Sequence, residues 1–227
     1  MTLIAGDMRR IDHPTNLIEA VNHRLRGKWF AAGGPTPENH RVIAARPPEL
    51  LRDELVVLVR ATPDHLDGLQ AAIETSYLEL QPWMDWIGEE PQPRDATREH
   101  LSSRKQAWEN GEEFGFTMLD PQTGEVIGNC ALMARQGPGK LEIGYWVRSD
   151  RTGAGVATAA AALLTRAALA LDGIEIVEIH HDAANHASAR VPEKLGFVET
   201  ARDGVEPGDP RQAGINVVWQ LSRAARP

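Results

Sequence analysis

Residues 151–169, RTGAGVATAAAALLTRAAL, place two glycines one residue apart directly before an alanine-rich run, after three strand-like segments separated by short turns. No other feature limits the fold of this chain as much. Glycine lacks a Cβ and tolerates positive φ, so paired glycines let successive backbone N–H groups turn inward at a helix start, where the helix dipole adds partial positive charge. A phosphate or carboxylate is the expected guest of such a cradle. A tight surface loop is the plainer reading of the same two glycines. Alanine is the best helix former, so a helix is expected over residues 154–171, stopped by Asp172 and Gly173.

The segments EFGFTMLD, GEVIGNCALMA and KLEIGYWVR, joined by PQTG and RQGPG, read as an antiparallel meander. Ahead of them, ELVVLVRA from residue 54 is a buried-type strand. TPDHLDGLQAAIETSYLEL opens with Thr62 as N-cap and Pro63 at the first helical position, predicting a helix to about Tyr77. A second helix is expected from Asp95 to Asn110, stopped by Gly111. After the glycine loop and its helix come a strand in IEIVEIHH, a short helix in NHASARVPEKLG, and strands in FVETAR and GINVVWQLS. The order β α α β β β α β α β β predicts an α/β fold of the α+β type, a mixed, mostly antiparallel sheet flanked by helices. Residues 1–50, punctuated by AAGGPTPENH and RPPEL, read as an N-terminal extension, and 51–227 as the domain. Within the extension, Leu17, Ile18, Val21 and Leu25 share one face of a short amphipathic helix, suited to a packing or dimer arm or to a lid over substrate.

The 227-residue chain carries a formal net charge of -8, which disfavours a general electrostatic grip on nucleic acid and is compatible with a cationic or amine substrate. Cys130 is the only cysteine, so no internal disulfide can form and a reducing cytoplasm is the expected compartment. The first residues hold no apolar stretch of signal-peptide length, and nowhere do about 18 apolar residues run together, so no membrane partner is expected.

Two other site readings are weaker. Gly153, Gly155 and then Glu175 or Glu178 approximate the spacing of a dinucleotide site, but Thr158 stands at the third glycine position and the loop follows a meander instead of opening parallel βαβ units. In HHDAANH, His180, His181, Asp182 and His186 are metal-ligand types. Neighbouring strand residues point to opposite faces, so only part of that cluster converges, and no metal is expected.

Five stretches, taken in order, resemble the GNAT acetyltransferase superfamily and within it the RimJ/RimL-like branch: LQPWMDW at 80–86, GEVIGNCAL at 124–132, LEIGYWV at 141–147, TGAGVAT at 152–158 and NHASARVPEKLGF at 185–197. The resemblance covers about residues 54–221. It implies acetyl-CoA as co-substrate, with the pyrophosphate against the backbone of Gly153, Ala154, Gly155, Val156, Ala157 and Thr158. Thr152 stands where the family has Arg or Gln, with Arg151 just upstream. In the family the strand resembling LEIGYWV splays from the one resembling IEIVEIHH, so the resemblance implies that Gly144, Trp146 and Val147 line the thioester through their main chain, with an oxyanion donor near Tyr145. It also implies that Asn185 contacts the pantetheine arm and that Ser188 gives the departing sulfur a proton. Helix capping alone explains the spacing of Asn185 and Ser188 equally simply.

Amide formation from a thioester needs a neutral amine, a donor for the developing oxyanion and a proton for the thiolate. Glu142 shares a strand face with Gly144 and Trp146 and is a candidate to take the amine's proton, directly or through water. Its other reading is a strand acid in a salt bridge. His181 is a second candidate base, or a solvated strand end. Trp83 and Trp86, with Met84 and Asp85, border the acceptor cleft by resemblance and suit an amine-bearing substrate, either a protein N-terminus or a small molecule. They equally suit packing of the helix pair, and Glu89 and Glu90 would add negative field at the same mouth. Cys130 sits in a strand away from the glycine loop, Glu142, Asn185 and Ser188, which favours direct transfer without an acyl-enzyme. The reading from another class is a non-catalytic acyl-CoA-binding protein whose N-terminal segment engages a partner.

Overall fold

A computed structural model describes residues 43–84, 86–88 and 92–225. The amphipathic run around Leu17, Ile18, Val21 and Leu25, and the acids Asp85, Glu89 and Glu90, lie outside the described residues. Eight strands among the described residues form one sheet: β1 (Leu50–Arg52), β2 (Val57–Arg60), β3 (Glu113–Leu119), β4 (Val126–Met133), β5 (Lys140–Val147), β6 (Ile176–Asp182), β7 (Val198–Gly204) and β8 (Ile215–Ser222). Their spatial order is β1-β2-β3-β4-β5-β6-β8-β7. Every neighbouring pair is antiparallel except β5 and β6. The expected meander is β2 to β5, and the crossover helix after the glycine loop produces the single parallel pair. None of the described helices is long and apolar enough to cross a membrane.

The helices are α1 (Leu66–Thr75), α2 (Tyr77–Leu80), α3 (Arg94–Asn110), α4 (Val156–Ala170) and α5 (His186–Lys194). They cover both sheet faces, which is why β4 is buried at every position. On one face, Leu66, Leu69, Ile73 and Leu101 of α1 and α3 pack against Val126 and Trp146. On the other, Val156, Ala160 and Leu164 of α4 join Leu141, Ile143, Val177 and Ile179. The alternation of β5 therefore sends Leu141, Ile143 and Tyr145 toward α4, and Glu142, Gly144 and Trp146 toward α1 and α3.

The first helix departs from expectation at both ends. Its opening turn, Pro63–His65, is 3₁₀, and the His65 ring accepts the Thr62 amide at 3.2 Å. The helix then breaks at Ser76, a fully buried residue whose hydroxyl accepts the Ser149 amide at 2.9 Å. A distant loop thus competes for a polar group that a continuous helix would leave without use. Leu50–Arg52 adds a short edge strand, and Ile43 is buried in the main core with its amide on the Gly111 carbonyl at 3.0 Å.

Gly111 ends α3 with φ 73°, and a Cβ there would stand 2.4 Å from the Ile43 carbonyl oxygen. Left-handed backbone costs a non-glycine residue about 1–2 kcal/mol, and a backbone contact that close forces further movement. Gly111→Ala is expected to lower stability by about 2 kcal/mol or more, read from urea melts.

Candidate active site

Strands β5 and β6 pair only from Lys140↔Ile176 to Ile143↔Ile179. Beyond that point β5 continues to Val147 beside β4, while His180, His181 and Asp182 continue beside β8. The sheet is split between its two central strands, and the β6-facing edge of Gly144–Val147 is left without a strand partner. A cleft of about 2440 Å³ runs through the split, lined by Gly144, Tyr145 and Trp146, by the glycine loop, and by α5.

At one end stands the glycine loop. Ser149–Arg151 form a 3₁₀ turn, Gly153 and Gly155 take φ 77° and 85°, and α4 begins at Val156. The first amide to return to a backbone carbonyl is that of Ala159, to Gly155 at 2.9 Å, so the amides of Gly153 to Thr158 are left for a guest. No side chain crowds this space at Gly153. The nearby arginines are already engaged: Arg151 pairs with Asp120 at 2.9 Å and Arg148 with Asp150 at 2.7 Å. The Thr152 hydroxyl donates to the Ser149 carbonyl at 2.8 Å. Positive potential in the cradle therefore comes from amides and the helix terminus. His186, Arg190 and Lys194, four residues apart along α5, line the same cleft.

Across the split, Tyr145 and Ser188 meet. The Tyr145 hydroxyl lies 3.1 Å from Ser188 Oγ and donates to the Ser188 carbonyl at 3.2 Å. That carbonyl is free because Pro192, four residues on inside α5, has no N–H to give it. The proline that looks out of place in a helix thus opens an acceptor for a tyrosine from another element. Burial pushes the Tyr145 phenol up to about 12, so it stays a proton donor. Asn185 caps α5, its Oδ1 accepting the Ser188 amide at 3.0 Å.

Glu142 is 3 % exposed. Arg135 grips both of its oxygens, with Nε at 2.8 Å from Oε2 and Nη2 on Oε1, and Gln136 Nε2 also donates to Oε2. Burial opposes its ionisation, but the Arg135 charge and these hydrogen bonds hold the carboxyl below the usual glutamate range. Both nitrogens of His181 are likewise occupied, Nδ1 by the Asp182 carbonyl at 2.8 Å and Nε2 by Trp219 Nε1 at 2.9 Å. The two tryptophans divide. Both line the cleft, but Trp86 also stacks on His100 with centroids 6.3 Å apart and packs with the α1–α3 cluster, whereas Trp83 lies outside that cluster. Among the described residues no group of three or more His, Cys, Asp or Glu is placed to hold a metal.

Three features had no warning in the sequence. Asn129 lines the cleft opposite Trp146 with its Nδ2 buried and without a hydrogen-bond partner. The loop between β7 and β8 crosses to the segment after α2, where Gln212 donates to the Pro82 carbonyl at 2.7 Å and Arg211 to Gln81 at 3.2 Å. Asp182 ties down the same loop by accepting the amides of Ala213 and Gly214 at 2.8 and 3.0 Å. All three depend on residues far apart in sequence, and only an unusual buried amide or acid at a strand position hints at them.

The family model for the acetyltransferase (GNAT) domain matches residues 56–198. YdaF of Bacillus subtilis (strain 168), a candidate ribosomal N-acetyltransferase, is 30% identical over 159 residues, covering 67% of this chain and 84% of YdaF. Among solved structures, RimL, the ribosomal L7/L12 alpha-N-protein acetyltransferase bound to coenzyme A, aligns with TM-score 0.68 and 18% identity over 78% of this chain and all of its own. RimJ of Mycobacterium smegmatis, bound to a CoA-disulfide, aligns with TM-score 0.68 and 20% identity over 80% of this chain and 87% of its own. The split sheet, the glycine cradle at a helix start and these likenesses agree, and the chain belongs to the GNAT acetyltransferase family, with RimJ- and RimL-type enzymes among its structural neighbours.

Proposed function

We propose that this protein is an acetyl-CoA-dependent N-acetyltransferase that moves the acetyl group directly to a primary amine, with a protein N-terminus as the leading acceptor class. The observation that carries the reading is the β5–β6 split, open between a cradle of free amides and the Tyr145–Ser188 pair. In this reading the amides of Gly153 to Thr158 hold the pyrophosphate, and the unpaired edge of Gly144–Val147 receives the pantetheine amides. Asn185 keeps its side-chain N–H groups for the arm. Arg190 and Lys194 of α5 line the same cleft and are available to the phosphates. The amide edge near Tyr145 stabilises the oxyanion, and Ser188, backed by the Tyr145 hydroxyl, supplies the proton that the thiolate needs. Glu142 contributes fixed negative charge to the acceptor side, where Trp83 and Asn129 offer a wall and a hydrogen bond. Cys130 is buried, and burial pushes its thiol well up, so no acyl-enzyme is needed. A protein N-terminal amine, with its ordinary pKa near 8, demands less of a base than a lysine near 10.4. The ribosomal-protein enzymes among the structural neighbours favour the same acceptor class.

Calorimetric titration with acetyl-CoA beside NAD tests the cofactor, and thiol release with a panel of short peptides tests the acceptor. Micromolar acetyl-CoA affinity without NAD binding, followed by acetylation of a free N-terminus, is the expected result. Ser188→Ala is expected to reduce kcat by about 10²-fold with acetyl-CoA affinity unchanged. Tight acetyl-CoA binding with no amine ever acetylated would favour the non-catalytic binding module instead.

A further inference from the structure

We infer that His180, oriented by Glu178, is the group that takes the acceptor amine's proton, an inference that rests on the acetyltransferase reading above. His180 is the first residue of β6 past the split, paired only with Val218 of β8. It lies two residues beyond Glu178 and so shares its face. Glu178 stands in register with Glu142, which puts the imidazole on the acceptor side of the sheet with Glu142, Gly144 and Trp146. Its side chain is 17% exposed and lines the cleft.

Glu178 has every oxygen assigned. Oε1 accepts from Lys140 Nζ at 2.9 Å and Gln220 Nε2 at 2.7 Å, and Oε2 lies 2.9 Å from His180 Nε2. Burial opposes its charge, but the His180 and Lys140 contacts hold the carboxyl down at about 2. An ionised carboxylate only accepts, so Nε2 must carry the proton and the lone pair of neutral His180 sits on Nδ1. Nδ1 has no hydrogen-bond partner among the described residues. The two other candidate bases on β5 and β6 are engaged: three donors occupy Glu142, and both ring nitrogens of His181 are bonded on the opposite face.

The transfer balances as R–NH₃⁺ plus acetyl-CoA giving R–NH–COCH₃, CoA–SH and H⁺. His180 Nδ1 takes the first ammonium proton and later releases it to solvent through the cleft. The freed nitrogen lone pair forms the C–N bond, the C–S pair leaves with sulfur, Ser188 gives the thiolate its proton, and the second N–H proton passes to Ser188, which ends neutral. The charged groups lining the cleft with His180 include Glu178 and Asp182 on its own strand, Lys140 and Glu142 on β5, Arg135 in the β4–β5 turn, Glu79 and Arg104 of α2 and α3, Arg151 before the glycine loop, and Arg190 and Lys194 of α5. Asp203, Glu206 and Asp209 join them from β7 and the loop that follows it.

The test is steady-state acetylation by the full chain of a peptide with a free N-terminus and of the same peptide capped with an aminooxyacetyl group, whose terminal nitrogen is already neutral at pH 7. His180→Gln is expected to lose about 100-fold or more in kcat on the ordinary peptide, with acetyl-CoA affinity by calorimetry unchanged, and to recover most of that loss on the aminooxy peptide. Glu178→Gln removes the carboxylate that fixes the proton on Nε2, so it is expected to lower kcat on the ordinary peptide and to recover that loss on the aminooxy peptide. A His180→Gln kcat within about threefold of wild type, an equal deficit on both acceptors, or a Glu178→Gln kcat equal to wild type on the ordinary peptide overturns the inference. Should His180→Gln fail to fold, a Glu178→Gln variant with an equal kcat deficit on both acceptors also overturns it. A wild type that binds no acetyl-CoA or acetylates neither peptide overturns the parent reading itself, which separates the two failures.

Discussion

Arg135→Ala is expected to lower stability by about 3–5 kcal/mol, because it strips a buried carboxylate of its counter-ion. Glu142 keeps only the Gln136 amide in that variant, at a position 3 % exposed. Desolvation then dominates, and the folded-state pKa of Glu142 rises above its unfolded value. The pH dependence reverses accordingly. In the wild type the depressed carboxyl contributes stability that is present above the unfolded glutamate pKa and lost as pH falls through the folded one. In Arg135→Ala, stability instead increases as pH falls below neutrality, because protonation relieves the buried charge. Urea melts at neutral and mildly acidic pH read both effects. Adding Glu142→Gln should recover much of the loss, and a double variant as unstable as Arg135→Ala would show that the ion pair is not the cause.

The second large effect is on binding. Gly155→Val places a β-branched residue at φ 85°, where its Cβ would stand 3.4 Å from Leu55 Cδ1 at the entrance of the amide cradle. Loss of two charge-assisted hydrogen bonds at about 1.5–3 kcal/mol each, with tenfold per 1.4 kcal/mol, predicts a fall in acetyl-CoA affinity of 100-fold or more. Backbone strain alone does not explain such a fall, and Gly173→Val separates the two. Gly173 has φ 78° with no atom within 4 Å of its Cβ, and it lies beyond the far end of α4. It should lose stability and keep its affinity. Equal affinity in both variants would mean that the pyrophosphate does not sit at Gly155.

Much of the fold was legible because its signals are local. Gly111 stops α3 where a C-terminal glycine should, and the PQTG and RQGPG turns fix the antiparallel meander. The helix after the glycine loop begins at Val156, not residue 154, since Gly153 and Gly155 are spent on the left-handed turns that form the cradle. In the sequence Ser188 and Tyr145 stand out for separate reasons, one by its place in NHASARVPEKLGF and the other by a backbone amide. Their hydroxyls meet because Pro192 frees a carbonyl across the split.

What the sequence determined by itself was the set of elements, their order, and the glycines that let a backbone close around an anion, all of which follow from propensity, capping and alternation within a few residues. Only the tertiary structure decided which titratable groups are free to react. Arg135 and Gln136 close on Glu142, Trp219 closes on His181, and Lys140 and Gln220 fix Glu178 so that one histidine nitrogen is left open beside the split. The physical reason is that a side chain's charge and lone pairs are set by burial and by partners brought from other strands, and no spacing along the chain records them.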